Sequence, residues 1–304
     1  MPVGMTRRLE QLLTESSDVR VLHWILRDQS RVAEWANSIG VCIDELLRSF
    51  VPSFPPPELR GIVAAAELQE FLWTGFVDAA YFLSLYETHK SELSPSRPSI
   101  LDFGCGCGRL TRFLAHLEED FDVHATDINP KHVEWCQKNL RGVSSIQNAA
   151  VPPLPYPDAA FNFIFSLSVL THLTQARTNQ WLQELLRILA QGGILVVTTH
   201  GLTAVRTIRD SPVHQQNFGM SKSDAETLLA HLPKTGFAFR PYDPQTLITA
   251  SAGSEYGHTF VHPDYIEKTS TILGLRVKEV REGGLRGWQD IVVLERQPGP
   301  LTHY

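Results

Sequence analysis

Apolar positions recur at helical spacing from residue 68 onward. Leu68, Phe71, Leu72, Gly75, Phe76 and Ala79 fall at i, i+3 and i+4 within "ELQEFLWTGFVDAAYFLSLY", the stripe of an amphipathic helix. Residues 5–93 as a whole read as helical, interrupted at "VPSFPPPELR". There Pro55, Pro56 and Pro57 lack backbone N–H groups and impose a turn or an extended link. Pro57 then suits the first position of the next helix. On this reading Trp73, Phe76, Tyr81 and Phe82 are core of the helix rather than a substrate wall. "SPSRPS" at 94–99 reads as a linker.

After the linker the period changes. "SILDF" (99–103), "DVHATD" (122–127), "FNFIFSLSVL" (161–170) and "ILVVTTH" (194–200) are short apolar runs of strand type. Between them lie helical stretches at 109–117, 130–140 and 180–190, the last ended by Gly192 and Gly193. Strand and helix in alternation predict an α/β fold, a mostly parallel sheet with crossover helices. Residues 201–261 break the rhythm with "SDAETLLAHL", whose Ser223 and Glu226 read as a capping box, and with the Gly/Ser/Thr-rich "LITASAGSEYGHTF". An insertion at the carboxyl ends of sheet strands is where substrate-shaping elements tend to lie. A helix at 262–274 and a closing hairpin made of "RVKEV" and "QDIVVLER" complete the pattern. The chain therefore divides into a helical region and lid, 1–96, and a core, 97–304, carrying the insertion 201–261.

Composition adds few constraints. The chain has 304 residues, 43% of them hydrophobic and 20% charged, with a formal net charge of −6. That balance is ordinary for a globular protein and gives no global attraction to a polyanion, so nucleic acid is not the expected partner. The N-terminus has no apolar signal segment, and no apolar run reaches the roughly 20 residues of a membrane helix. Sparse cysteines (Cys42, Cys105, Cys107, Cys136) fit a reducing compartment, and a cytoplasmic protein without membrane contact is expected. Cys105 and Cys107 form a C-x-C without the second pair that a zinc site commonly brings, so no metal is expected.

The stretch "LDFGCGCGRL" at 101–110 carries the candidate chemistry. Gly104, Gly106 and Gly108 stand between a strand and a helix. Glycine there permits positive φ and close approach of a ligand to the backbone, and the helix start offers unpaired N–H groups. Asp127 ends the next strand, where a carboxylate can accept from ribose hydroxyls. The dinucleotide fingerprint G-x-G-x-x-G fails, because position 109 is arginine. The pattern present, D-x-G-x-G-x-G with Asp102 at the strand end, resembles motif I of the class I S-adenosylmethionine-dependent methyltransferases. "HATDINP" resembles their second motif, and "NAAVPPLPYPDAAFNFIFSLSVLTHL" their "LPF…FD" segment, with Asn148 near the usual adenine-contacting acid and Asn162 in place of the usual aspartate. The resemblance covers residues 97–200 well and 262–296 loosely.

That resemblance implies a Rossmann-like, doubly wound, seven-stranded sheet with an antiparallel last strand. It also implies S-adenosyl-L-methionine as cofactor, held by Asp102, Gly104, Gly106, Gly108, Arg109, Asp127, Ile128, Asn148, Ala149 and Ser166. Pro152, Pro153 and Tyr156 precede their strand and so do not form the N/D-P-P-Y/F motif of nucleobase amino-methyltransferases. "FPPPELR" beside such a core resembles methyltransferases of sugars, polysaccharides or secondary metabolites, which points to a small-molecule acceptor methylated at oxygen. An oxygen nucleophile calls for a base near its proton, and His172, His200 and His258 are the candidates, with Tyr256 and Asp290 as further residues facing the ligand or merely packing. A NAD-dependent oxidoreductase and a non-catalytic S-adenosylmethionine-binding protein remain as alternatives, and a homodimer is left open.

Overall fold

The computed structural model describes residues 53–63, 67–92, 94–117, 119–242 and 255–297. The helices expected before residue 53, Cys42, and most of the Gly/Ser/Thr-rich stretch (243–254) lie outside the described residues. Two helices come first, α1 (Pro57–Val63) and α2 (Leu68–His89). The glycine stretch links β1 (Ser99–Phe103) to α3 (Thr111–Leu114), followed by β2 (Asp122–Asp127), α4 (Pro130–Asn139), β3 (Val143–Gln147) and β4 (Phe161–Ser166). A short 3-10 turn, Leu170–His172, precedes α5 (Gln175–Ile188) and β5 (Leu189–Thr199). The insertion holds α6 (Leu202–Asp210), α7 (Pro212–Phe218), α8 (Lys222–Thr235) and the hairpin β6 (Phe237–Pro241) and β7 (Gly257–Val261). The chain closes with α9 (Pro263–Ile272), β8 (Leu275–Leu285) and β9 (Gln289–Arg296).

The main sheet has seven strands in the order β3-β2-β1-β4-β5-β9-β8. β1 to β5 pair in parallel, and β9 runs antiparallel to both β5 and β8. Strand alternation sends neighbouring residues to opposite faces. Ile100, Phe163, Phe165, Ile194 and Val293 join one core with α2, while Leu101, Ile164, Leu195 and Val292 join the other with α5 and α9. Burial on both faces explains why these strands read as continuous apolar runs. α2 is built into the sheet: Tyr86 stacks on Phe163 with centroids 4.9 Å apart, and Phe82 lies 5.1 Å from Phe165.

Three local expectations are corrected. Gly192 and Gly193 lie inside β5 beside an irregular register at Phe161/Phe163, and α5 ends earlier, at Ile188. The capping box sits two residues before the expected one: Ser221 Oγ accepts from the Asp224 N–H at 3.1 Å, and Asp224 accepts from the Ser221 N–H at 2.8 Å. The strand starting at Phe161 stops at Ser166, where Ser168 turns to φ 60. β3 and the β6–β7 hairpin carry too few alternating apolar residues to announce themselves. The insertion has its own small core of Val205, Ile208, Met220, Leu232 and Phe260. It is fastened to the sheet by the Val261 N–H, which donates to the His200 carbonyl at 2.8 Å.

Candidate functional site

The strand order reverses between β1 and β4, and the carboxyl ends of strands at such a point leave a crevice. A cavity of about 210 Å³ opens there, bordered by the glycine stretch, Asp127 to Asn129, Asn148, and Leu167 to Val169. The three glycines adopt φ 85, 56 and 73 at positions 104, 106 and 108, the left-handed region that favours glycine. A Cβ at Gly104 would come within 2.2 Å of Val169, and one at Gly106 within 2.3 Å of Val63 in α1. The turn is held by the Gly104 and Cys105 N–H groups, which donate to the Thr126 carbonyl at 2.8 and 2.9 Å. Beneath it, the buried Arg112 donates to the carbonyls of Gly108 at 2.9 Å and Cys107 at 3.2 Å.

Asp127 is the charged group of the cavity. Its Oδ2 accepts from the Gly106 N–H at 2.8 Å, and its Oδ1 from the Asn129 N–H at 2.8 Å and His132 Nδ1 at 3.3 Å. A carboxylate has about four acceptor positions, and these contacts leave that of Asp127, at the cavity border, partly unfilled. Asn129 caps α4 by accepting from the Lys131 N–H at 3.0 Å, and so fixes the direction in which the chain leaves Asp127. The Cys105 and Cys136 thiols both donate to the Gly106 carbonyl, at 3.3 and 3.6 Å.

Several expected donor residues are placed elsewhere. Arg109 is turned away from the cavity to the buried Asp78 of α2, with Nη1 to Oδ2 at 2.6 Å, and Arg286 reaches the same carboxylate at 2.9 Å. Asp102 is only 3% exposed and accepts from the Thr111 hydroxyl at 2.6 Å. Burial raises its pKa to about 7, against the opposing pull of Thr111 and Arg109. Ser166 is fully buried in β4, and Ala149 is exposed beyond Asn148, which does border the cavity. Asn162 accepts from the Ser99 N–H at 3.0 Å, a strand-to-strand tie.

The three candidate bases separate. His172 borders the cavity. Its Nδ1 lies 3.3 Å from the Gly257 carbonyl and 2.5 Å from the Tyr242 hydroxyl. A carbonyl can only accept, so the tautomer that donates from Nδ1 to Gly257 keeps the lone pair on Nε2, whereas donation from the Tyr242 hydroxyl to Nδ1 puts the proton on Nε2. Burial lowers the His172 pKa, and the Gly257 hydrogen bond opposes that shift only in part. His200 is 4% exposed, enclosed by Phe218, Phe260 and Trp288, and burial pushes it down to about 3. His258 is half-buried on β7 against Phe218 and Tyr242, and is pushed down to about 4, chiefly by burial. Neither of these two is among the residues bordering the cavity. Asp290 is buried with Oδ1 accepting from the Gly283 N–H at 2.7 Å, and burial raises it to about 6.

Sequence reasoning missed His132, Ser168, Val169 and Trp181, all of which border the cavity. His132 carried a usable signal, lying five residues beyond Asp127 in the first turn of α4. Ser168 carried none: its N–H donates to Thr198 Oγ1 at 2.8 Å and its hydroxyl pairs with the Gln289 amide at 2.7 Å, contacts to distant strands.

The groups present fit an adenosyl sulfonium. Bare backbone at Gly104 and Gly106 and a partly unfilled carboxylate at Asp127 share one cavity. Residues 100–193 match the family model described as a methyltransferase domain. The chain is 29% identical over 164 residues to a malonyl-[acyl-carrier protein] O-methyltransferase of Hahella chejuensis, covering 50% of this chain and 57% of the relative. It is 31% identical over 107 residues to 2-methyl-6-phytyl-1,4-hydroquinone methyltransferase of Synechocystis, covering 34% and 32%. Against ajmaline N-methyltransferase of Rauvolfia serpentina the identity is 27% over 109 residues, covering 34% and 36%. The chain thus spans from about a third to somewhat over half of the length of these curated relatives. A crystal structure of a protein from Pyrococcus horikoshii OT3 superposes with a TM-score of 0.50 at 14% identity, over 79% of this chain and 96% of that one, a likeness of fold. The glycine turn, the carboxylate at the end of β2, the strand order and the domain match together mark residues 100–193 as a methyltransferase domain on a Rossmann-like sheet.

Proposed function

We propose that this protein methylates an oxygen of a small-molecule acceptor, such as a sugar or a secondary metabolite, with His172 as general base. One observation carries this reading: His172 shares a cavity with Gly104, Gly106 and Asp127, and its ring is oriented from behind by Gly257 and Tyr242. When bound, S-adenosylmethionine supplies an electrophilic methyl group on a sulfonium. Gly104 and Gly106 let the donor approach the backbone, and Asp127 accepts from its ribose hydroxyls. Ile128 and Asn148 flank the same end of the cavity. At the other end His172 Nε2 takes the acceptor's proton. The Gly257 carbonyl keeps the correct tautomer in place and stabilises the imidazolium that forms. Holding base, acceptor and donor in line supplies an advantage of up to roughly 7–11 kcal/mol at its extreme.

A name that specifies O-methylation among the relatives supports oxygen as the target atom. The mild negative charge, which gives no global attraction to a polyanion, supports a small molecule. The test is transfer of labelled methyl from S-adenosylmethionine into a metabolite extract, competed by S-adenosylhomocysteine, with parallel calorimetric titration by S-adenosylhomocysteine and NADH. Labelled product together with S-adenosylhomocysteine binding is the expected result. Binding of NADH alone would favour the oxidoreductase alternative, and donor binding without transfer to any metabolite would favour a non-catalytic protein.

A further inference from the structure

Where the chain returns from the insertion, it is fixed to the segment after β4 at three consecutive residues. Glu255 pairs with Arg177 of α5, whose Nε donates to the carboxylate at 2.7 Å. Tyr256 forms an antiparallel bridge with Leu173. The Gly257 carbonyl lies 3.3 Å from His172 Nδ1. A fourth tie is the Tyr242 N–H, which donates to the Tyr256 carbonyl at 3.1 Å. The backbone of Tyr256 is therefore held from both sides. The residue is half-buried and borders the donor cavity together with Asp127, Ile128, Asn148 and Trp181. Its hydroxyl has no hydrogen-bond partner among the described residues. Burial, and after it the charge of Asp127, raise the pKa of this phenol, with Arg177 opposing, so the hydroxyl stands within reach of both charges and keeps its proton near neutral pH.

We infer that Tyr256 is a donor-binding residue supplied by the insertion, its hydroxyl donating a hydrogen bond to the adenosine half of the donor beside Asp127. The inference rests on the methyltransferase reading and deepens its donor site. A tyrosine hydroxyl in a buried setting usually finds a partner. Solvent serves this one only while the cavity is open to it. A ligand that fills the cavity displaces that water, and must then either pair with the hydroxyl or leave it unmet at a cost. The two groups divide the work by chemistry: an ionised carboxylate only accepts, whereas the protonated phenol donates. A ribose hydroxyl that donates to Asp127 can accept from Tyr256 at the same time. His132 Nε2 is also without a partner, but that atom is sealed from solvent and its ring already meets Asp127 through Nδ1 at 3.3 Å. Tyr256 lies well beyond the matched residues 100–193, so the donor site is completed from outside that domain.

The test uses the full chain and two probes, S-adenosylhomocysteine and methylthioadenosine, which keeps the adenosine and lacks the amino-acid end. Calorimetry gives the affinity for the first, and competition against it the affinity for the second. Tyr256→Phe removes only the hydroxyl and should weaken both probes roughly fivefold, the worth of one hydrogen bond, with Tm unchanged. Tyr256→Leu also removes the ring and should weaken both roughly tenfold or more. A Tyr256→Phe affinity within about twofold of the parent overturns the inference, whatever its Tm, because the hydroxyl then contributes less than a hydrogen bond. A loss seen with S-adenosylhomocysteine but not with methylthioadenosine also overturns it, since the contact would then lie at the amino-acid end. So does a parent protein on which methylthioadenosine does not compete. Failure of the unmodified protein to bind S-adenosylhomocysteine would instead bring down the methyltransferase reading, and this inference with it.

Discussion

One side of the cavity, at the glycine turn, is made of backbone and one carboxylate, whereas the side at His172 and Ser168 is held by side chains from distant segments. At the first side, Gly104 and Gly106 lie in the turn between β1 and α3 and Asp127 ends β2, and the contacts that shape them are largely local or between adjacent parallel strands. On the other side, His172 and Ser168 follow β4 and are held by contacts to remote parts of the chain, such as Tyr242 to His172 and Gln289 to Ser168. A universal donor needs fixed backbone geometry. Contacts of the second kind can vary with the insertion without disturbing the sheet.

The comparison can be broken most severely at the base. His172→Ala should lower kcat by about 10²–10⁴, the usual worth of general base catalysis, with S-adenosylhomocysteine affinity nearly unchanged. Equal loss of donor affinity would place His172 on the donor side instead. Because burial lowers its pKa, the neutral ring persists to more acidic pH than an ordinary histidine. The acid limb of kcat/KM should therefore lie below pH 6.5 in the parent enzyme and vanish in His172→Ala.

Next comes the join between α2 and the glycine turn. Asp78→Ala would leave the buried Arg109 without its carboxylate and take from the exposed Arg286 its partner. Breaking such a pair costs about 3–5 kcal/mol, read as a fall in Tm or in the urea midpoint. A loss under 1 kcal/mol would show that α2 is held by its apolar face alone.

Asp102 sharpens the donor side through pH. Its pKa is raised to about 7 in the fold by burial, above its unfolded value. Its protonated form is therefore favoured in the native state. The stabilisation is complete below pH 4 and is lost as pH rises to about 7, on the order of a few kcal/mol in total. Asp102→Asn should flatten this part of the stability profile in denaturant titrations, and an unchanged slope would mean that the carboxyl titrates normally.

The smallest effect is expected at Asp127. Asp127→Asn keeps most of the turn's geometry but weakens hydrogen bonds to a charged acceptor, worth about 1.5–3 kcal/mol. Calorimetry should show a roughly tenfold or greater loss of S-adenosylhomocysteine affinity, with KM for the acceptor little changed.

Much of the donor half was legible because its determinants are contiguous. "LDFGCGCGRL" contains its own turn, and Asp127 follows at the end of the next apolar run. Even there, adjacency misled: Arg109 follows the last glycine, yet its side chain is claimed by Asp78, more than thirty residues earlier. His200 ends a strand pointing at the site, but Phe218, Phe260 and Trp288 close around it. The helical stripe at Leu68, Phe71 and Leu72 was visible, while its place inside the sheet's core was not.

By itself, then, the sequence determined the alternation of strands and helices, the glycine turn and the carboxylate at 127, because period and turn chemistry act over a few residues. Only the tertiary structure decided which of the three histidines borders the cavity. That choice depends on contacts such as His172 to Gly257 and Ser168 to Gln289, across 85 and 121 residues of chain. No local pattern encodes such distances, since it is burial in the shared core that brings their ends together.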